Sequence, residues 1–138
     1  MDSNFTGMNA NLIKAQFNFN VVKKANQISV DQTDEIIIGK IYEHYFELSV
    51  TRRLSLSQTG QILVQATFNV RIDTENTENV DSITEKIRGD LPMLVNVFSR
   101  ISLVISQMTS HSQYGPLITV PAYDKNKISI LEAEIENQ

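Results

Sequence analysis

Apolar and polar residues alternate along the first half of the chain and then switch to a helical period. From Leu12, the residues Ile13, Ala15, Phe17, Phe19 and Val21 alternate with Lys14, Gln16, Asn18 and Asn20. A period of two marks a strand with one buried face. The preceding residues 1–11 are small and polar and read as a flexible N-terminus, which leaves 12–138 as a single domain. The cluster Asp31-Gln32-Thr33-Asp34 is a loop signal. "EIIIG" after it reads as a short strand or the lead-in to one, and Gly39 permits a bend or bulge. The clearest pattern follows. Tyr42, Phe46, Leu48, Val50, Leu54 and Leu56 hold even positions, with Arg52 breaking the row. After the turn "SQTG", Ile62, Val64, Ala66, Phe68, Val70 and Ile72 hold even positions again. Two alternating runs joined by a short glycine-containing turn predict an antiparallel hairpin with one wet face. Arg52 and Arg53 then point to opposite faces, and Arg52 intrudes on the apolar row, which calls for a bulge or a buried pair.

Beyond the polar break "DTENTENV" the period becomes 3.6. Asp81 or Ser82 is placed to cap a short helix that ends at Gly89. Asp90 is placed to cap the next, with Pro92 tolerated in its first turn. The main helix spans about Leu91 to Thr109. Leu91, Leu94, Phe98, Ile101, Ile105 and Met108 form its stripe, Met93, Val97 and Val104 widen it, and Leu103 lies on the far side. Arg100 is the one charged residue between Leu91 and Ser110. An arc of roughly 160° exceeds the roughly 100° that packs one sheet. The surplus face packs either on another subunit or on the chain's own C-terminal segment. In the first case Met93, Val97, Arg100, Leu103 and Val104 form an oligomer interface. In the tail, Leu131, Ala133 and Ile135 alternate like a strand, while Ile128, Leu131 and Ile135 fit a helical stripe; the Glu and Ala content leans toward helix.

Composition narrows the function. The net charge is −4, which argues against a broad nucleic-acid surface. The absence of cysteine removes disulfides, thiolate catalysis and cysteine zinc sites. The first residues lack the basic and apolar regions of a secretory signal, and no run reaches the roughly 20 apolar residues of a bilayer span, so a cytoplasmic protein is expected, without membrane insertion. His44 stands between Glu43 and Glu47, but strand geometry sends Glu43 and His44 to opposite faces. His111 lies in a loop. No nucleophile elbow or phosphate loop is present, and the carboxylate pairs Asp34-Glu35 and Glu134-Glu136 read as solvated charge in a loop and a tail. The expectation is no catalytic residue, no metal and no cofactor.

The stretch "SQYGPLITVPAYDK" carries the strongest functional lead. Gly115 and Pro116 stop the helix, and Pro121 holds Val120 extended. An apolar, extended segment that cannot pair fully as a strand can act as a lid, with a groove beside it for an extended peptide, or as a plain core-covering crossover. The order of parts resembles the SecB protein-export chaperones, above all in Ser99-Arg100-Ile101 and in Gly115-Pro116-Leu117-Ile118-Thr119-Val120-Pro121-Ala122-Tyr123. The likeness covers about residues 12 to 125. It is also similar to an uncharacterised bacterial family that shares the SecB-like fold. The resemblance implies an α+β fold, a curved four-stranded antiparallel sheet with helices packed on one face, assembled as a dimer or tetramer. It also implies binding of unfolded apolar polypeptide without enzymatic activity, in a groove that by position holds Tyr42, Phe46, Tyr114, Leu117, Ile118 and Tyr123. The wet side of the first strand bears Lys14, Gln16, Asn18 and Asn20 and no acid, unlike the acidic surface with which export chaperones dock their motor. An oligomeric adaptor for one specific protein partner, such as an antitoxin-like tail, is the alternative function.

Overall fold

A computed structural model of the chain describes residues 5–18, 29–75, 79–112, 116–119 and 128–132. The strands are β1 (Phe5–Phe17), β2 (Val30–Ile41), β3 (Tyr45–Leu56), β4 (Ile62–Thr74) and β5 (Ile128–Glu132). Helix α1 (Val80–Gly89) is followed by a 3-10 turn (Leu91–Leu94) and helix α2 (Val95–Thr109). One sheet holds all five strands in the order β1-β4-β3-β2-β5. The first four pair antiparallel. β5 joins the far edge parallel to β2. The sheet is therefore mixed and five-stranded rather than four-stranded and antiparallel, and the tail contributes a strand where composition leaned toward helix.

The hairpin β3–β4 has the predicted register. Phe46 faces Ile72, Leu48 faces Val70 and Val50 faces Phe68, and all six are core residues. Gly60 makes the turn at φ +74, a left-handed conformation open to glycine. The odd positions form the other face, tiled with polar bonds. Thr51 and Thr67 share a hydroxyl bond of 2.8 Å, and Arg53 reaches Gln65 at 3.1 Å and Glu35 at 3.4 Å.

β1 departs from expectation. It begins at Phe5, so residues 5–11 are strand rather than frayed. The ladder to β4 shifts register between Leu12 and Lys14, which skips Ile13. Upstream of this bulge Met8, Ala10 and Leu12 oppose the inner row of β4, and downstream Ala15 and Phe17 do. The bulge carries the inner face from even to odd positions. Ile13, expected inside, is 61% exposed. Phe19 and Val21 lie outside the described residues. β2 likewise starts earlier than expected: Asp31 to Asp34 are strand, paired with Ser55 to Arg52, not loop. A second register shift between Ile38 and Ile41 marks the bend at Gly39.

Both helices pack on the even-numbered face. Asn79, not Asp81 or Ser82, caps α1, its side chain accepting from the Ser82 N–H at 2.8 Å. Asp90 makes no side-chain cap; the 3-10 turn with Pro92 leads into α2 instead. Phe98, Ile101 and Ile105 of α2 are fully buried against the sheet. Each contributes about 1.5–3 kcal/mol of apolar burial. The 19 residues Leu91–Thr109 are long and apolar enough to cross a bilayer by length and composition. Their buried stripe places them as the helix that closes the core.

Candidate functional site

Arg52 sits on the inner face of β3, where every neighbour in its row is apolar, and is 0% exposed. A guanidinium taken out of water requires a charge partner and an acceptor for its remaining donors. Asp34, directly opposite on β2 and 2% exposed, supplies the charge. Arg52 Nε donates to Asp34 Oδ1 at 2.7 Å and Nη2 to Oδ2 at 2.9 Å, the bidentate fork that suits arginine. Asp34 is thus a buried ion-pair partner, not a solvated loop acid. The guanidinium also lies over the Phe98 ring, 5.5 Å from its centroid. Space comes from small neighbours: across the sheet, Arg52 opposes Ala66, and Ala66 opposes Ala15.

The same guanidinium holds the segment after α2. Nη1 donates to Thr119 Oγ1 at 3.0 Å. Ser102 of α2 lies 2.8 Å from both Thr119 Oγ1 and the Thr119 carbonyl. Arginine can only donate and a carbonyl can only accept, and the latter takes the single Ser102 proton, so the proton directions are fixed. Thr119 accepts from Arg52 and donates to Ser102, and Ser102 donates to the Thr119 carbonyl. A second pin lies at the helix end. The Thr109 hydroxyl donates to the Ile105 carbonyl at 2.8 Å and accepts from the Leu117 N–H at 2.8 Å. Leu117 packs half-buried on the core, Thr119 is buried, and Ile118 between them is 76% exposed. Pro116–Thr119 is therefore fastened at Leu117 and Thr119, with the Ile118 side chain between them turned out.

Tyr42 is elsewhere. It stacks on Tyr45 at the β2–β3 turn, centroids 4.3 Å apart, and Arg71 covers Tyr45 at 3.9 Å. This turn lies at the Phe46 end of β3, and Phe46 to Arg52 spans roughly 20 Å of strand at about 3.3 Å per residue. The structure does not bring Tyr42 together with Leu117 and Ile118. Phe46 is 1% exposed and touches Phe5 at 5.5 Å, so it is a core residue and not an open groove wall. Tyr114 and Tyr123 lie outside the described residues. Beside this end an open cleft of about 310 Å³ is lined by Phe5, Gly7, Met8, Ile72 and Met93.

Of the interface residues expected on α2, Val97 is buried in the core at 1% exposure and is not available to a neighbour. Leu103 is 57% exposed, Met93 and Val104 are half-buried, and Arg100 is exposed. Arg100 reaches from α2 to the Ala10 carbonyl of β1 at 2.9 Å, its guanidinium over Phe68. Among the described residues β1 has a ladder partner on one side only. Met8, Leu12 and Ile13 along it are all at least 40% exposed.

Catalytic groupings do not assemble among the described residues. His44 and Glu43 form the solvated tip of the β2–β3 turn, 3.8 Å apart and mostly exposed. His111 is exposed beyond α2. Groups of three or more His, Asp or Glu that could hold a metal are absent among the described residues. Sequence reasoning missed Ser102, Thr109 and Thr119. A signal existed: Phe98, Ser102, Ile105 and Thr109 recur at helical spacing, which places two hydroxyls on the buried stripe.

No protein-family model matches the chain, and no curated protein matches it by sequence. Among solved structures it is similar to a SecB-like chaperone of Mycobacterium tuberculosis in complex with a ChAD peptide from an antitoxin. The TM-score is 0.63 at 13% identity, over 86% of this chain and 86% of that one. At that identity the likeness shows the fold, which is SecB-like.

Proposed function

We propose that the chain is a non-enzymatic, homo-oligomeric protein that binds extended apolar segments of other polypeptides in the cytoplasm. The observation that carries this reading is the apolar side chains left open along β1, an edge without a second ladder partner among the described residues: Met8, Leu12 and Ile13, with Leu103 on α2 and Ile118 after it also exposed. Exposed apolar side chains along an open edge are a mark of protein interaction sites. An open edge also offers main-chain donors and acceptors to an added strand. The peptide complex of the structurally similar chaperone supports the same class of ligand. Self-association through the β1 edge with Met93, Arg100, Leu103 and Val104 would cover part of the surface and leave Leu117 and Ile118 for the client.

The test is suppression of aggregation of an unfolded client by the purified protein, beside the variant Leu117→Ser/Ile118→Ser. The intact protein should suppress aggregation and the variant should do so poorly. Failure of the intact protein at molar excess removes the reading. Light scattering should give a mass above that of one chain. A second reading, an adaptor for one folded or antitoxin-like partner, is favoured by the antitoxin origin of the peptide in the similar structure. Capture from native lysate separates them: one stoichiometric partner marks the adaptor, a broad set of unfolded chains the chaperone.

A further inference from the structure

We infer that Arg52 is a positioning residue for polypeptide binding: through Thr119 it sets the register of residues 116–119, so that Leu117 is buried and Ile118 is presented to the partner. The inference rests on the reading that Ile118 belongs to the binding surface. In an extended segment neighbouring side chains point to opposite sides. Nothing apolar in Pro116–Thr119 dictates which side faces inward, since Leu117 and Ile118 are close in size and hydrophobicity. The polar contacts make the choice. Asp34 occupies Nε and Nη2 of Arg52, and Nη1 is aimed at Thr119 Oγ1. A slip by one residue would bring Ile118, whose side chain has no acceptor, to that nitrogen at a site with no solvent. It would also take the Thr119 hydroxyl and carbonyl from Ser102. The Thr109 hydroxyl, already donating to Ile105, receives the Leu117 N–H, and a slip the other way would bring it Pro116, which has no N–H. Wrong registers therefore give up these bonds, while the native one makes them all; no buried side-chain nitrogen or oxygen lacks a partner among the described residues. Asp34 orients the arginine, the arginine orients Thr119, and Thr119 fixes Ile118.

The experiment compares Thr119→Ser, Thr119→Val and the double variant Asp34→Leu/Arg52→Met with the unaltered protein. Hydrogen exchange is followed at the amides of 117–119, and binding is measured to reduced, carboxymethylated lactalbumin, a chain that stays unfolded. Thr119→Ser keeps the acceptor and should match the unaltered protein in both readouts. Thr119→Val and the double variant should exchange at least about ten-fold faster at the Leu117 and Thr119 amides. They should also bind the unfolded chain about ten-fold more weakly, with exchange in β3 and β4 unchanged. Exchange at 117–119 within two-fold of the unaltered protein in Thr119→Val overturns the inference, as does fast exchange with undiminished binding. If the double variant does not fold, the Thr119 pair decides alone. If the unaltered protein binds no lactalbumin, the polypeptide-binding reading fails, and with it the functional half of the inference, while exchange still decides whether Arg52 sets the segment.

Discussion

Removing either member of the Asp34–Arg52 pair should cost far more than removing both. The two side chains are 1% and 0% exposed and joined by bonds of 2.7 and 2.9 Å. In Arg52→Met the carboxylate of Asp34 keeps only the Gln32 amide at 3.4 Å among the described contacts, inside an apolar row. Breaking a buried pair in this way destabilises by about 3–5 kcal/mol, whereas replacing both partners by apolar groups of similar volume is near neutral or stabilising. Arg71–Asp73 on the wet face provides the control. At 3.0 Å it has similar geometry, but its side chains are 51% and 45% exposed, and such pairs contribute about 0–1 kcal/mol. Urea unfolding followed by circular dichroism, on Arg52→Met, Asp34→Leu, the double variant and Arg71→Met, measures all four. The two core single variants should each lose about 3–5 kcal/mol, a fall in Tm of roughly 10–20 °C for a chain of this length, and the double variant should recover most of it. A loss at Arg52→Met no larger than at Arg71→Met would refute the argument, because it would mean that the guanidinium is solvated.

Three further outcomes test other parts of the structure. Ala66→Leu fills the space beside Arg52 and should cost at least about 1–3 kcal/mol by overpacking, read by the same unfolding assay. Asn79→Ala removes the α1 cap and should cost about 1 kcal/mol, with Asn79→Asp close to neutral. Ile13→Glu and Leu103→Glu alter side chains 61% and 57% exposed, so stability should change by no more than about 0.5 kcal/mol. Their mass by light scattering should fall toward that of one chain; an unchanged mass would place the subunit contact elsewhere.

The parts of this fold legible in the sequence are those fixed by local period. The β3–β4 hairpin is read directly because both strands keep phase through a short turn, and of the two options left by the intrusion of Arg52, a bulge or a buried pair, the structure has the pair. What escaped was non-local. The polar run Asp31-Gln32-Thr33-Asp34 has the composition of a loop, yet it is strand because Arg52 across the ladder requires Asp34. β1 reads as starting late because its bulge changes phase at Ile13, and the even-phase residues before it look unpatterned. β5 was undecidable since five residues suit either period, and its strand state comes from pairing with β2, distant in sequence. At the candidate site, Leu117 and Ile118 were identified, but which one turns outward depends on hydroxyls contributed by α2. Tyr42 and Phe46 were grouped with them by family position, and the length of β3 separates them.

The open surface follows from a mismatch of rise. Five strands spaced about 4.8 Å apart make a sheet roughly 19 Å wide, and two helices about 10 Å in diameter cover that width. Length is another matter. α2 has 15 residues and β1 has 13, but at about 1.5 and 3.3 Å per residue they span roughly 22 and 43 Å. α2 lies chiefly over β4 and meets β1 at its margin, where the Arg100 stem crosses Phe68 to the Ala10 carbonyl. α2 alone is thus too short to cover β1 along its length; Met93 and Lys86 reach its Phe5 end, and Leu12 and Ile13 stay exposed. A chain meant to stay alone would answer with charge along that strand, as solvent-facing edges do. β1 carries a single charged residue, Lys14, and at Met8, Leu12 and Ile13 it places apolar side chains. Geometry leaves this strip uncovered and the sequence declines to make it polar. Those two facts together are the physical ground for the proposed partner along β1, since nothing among the described residues covers the strip.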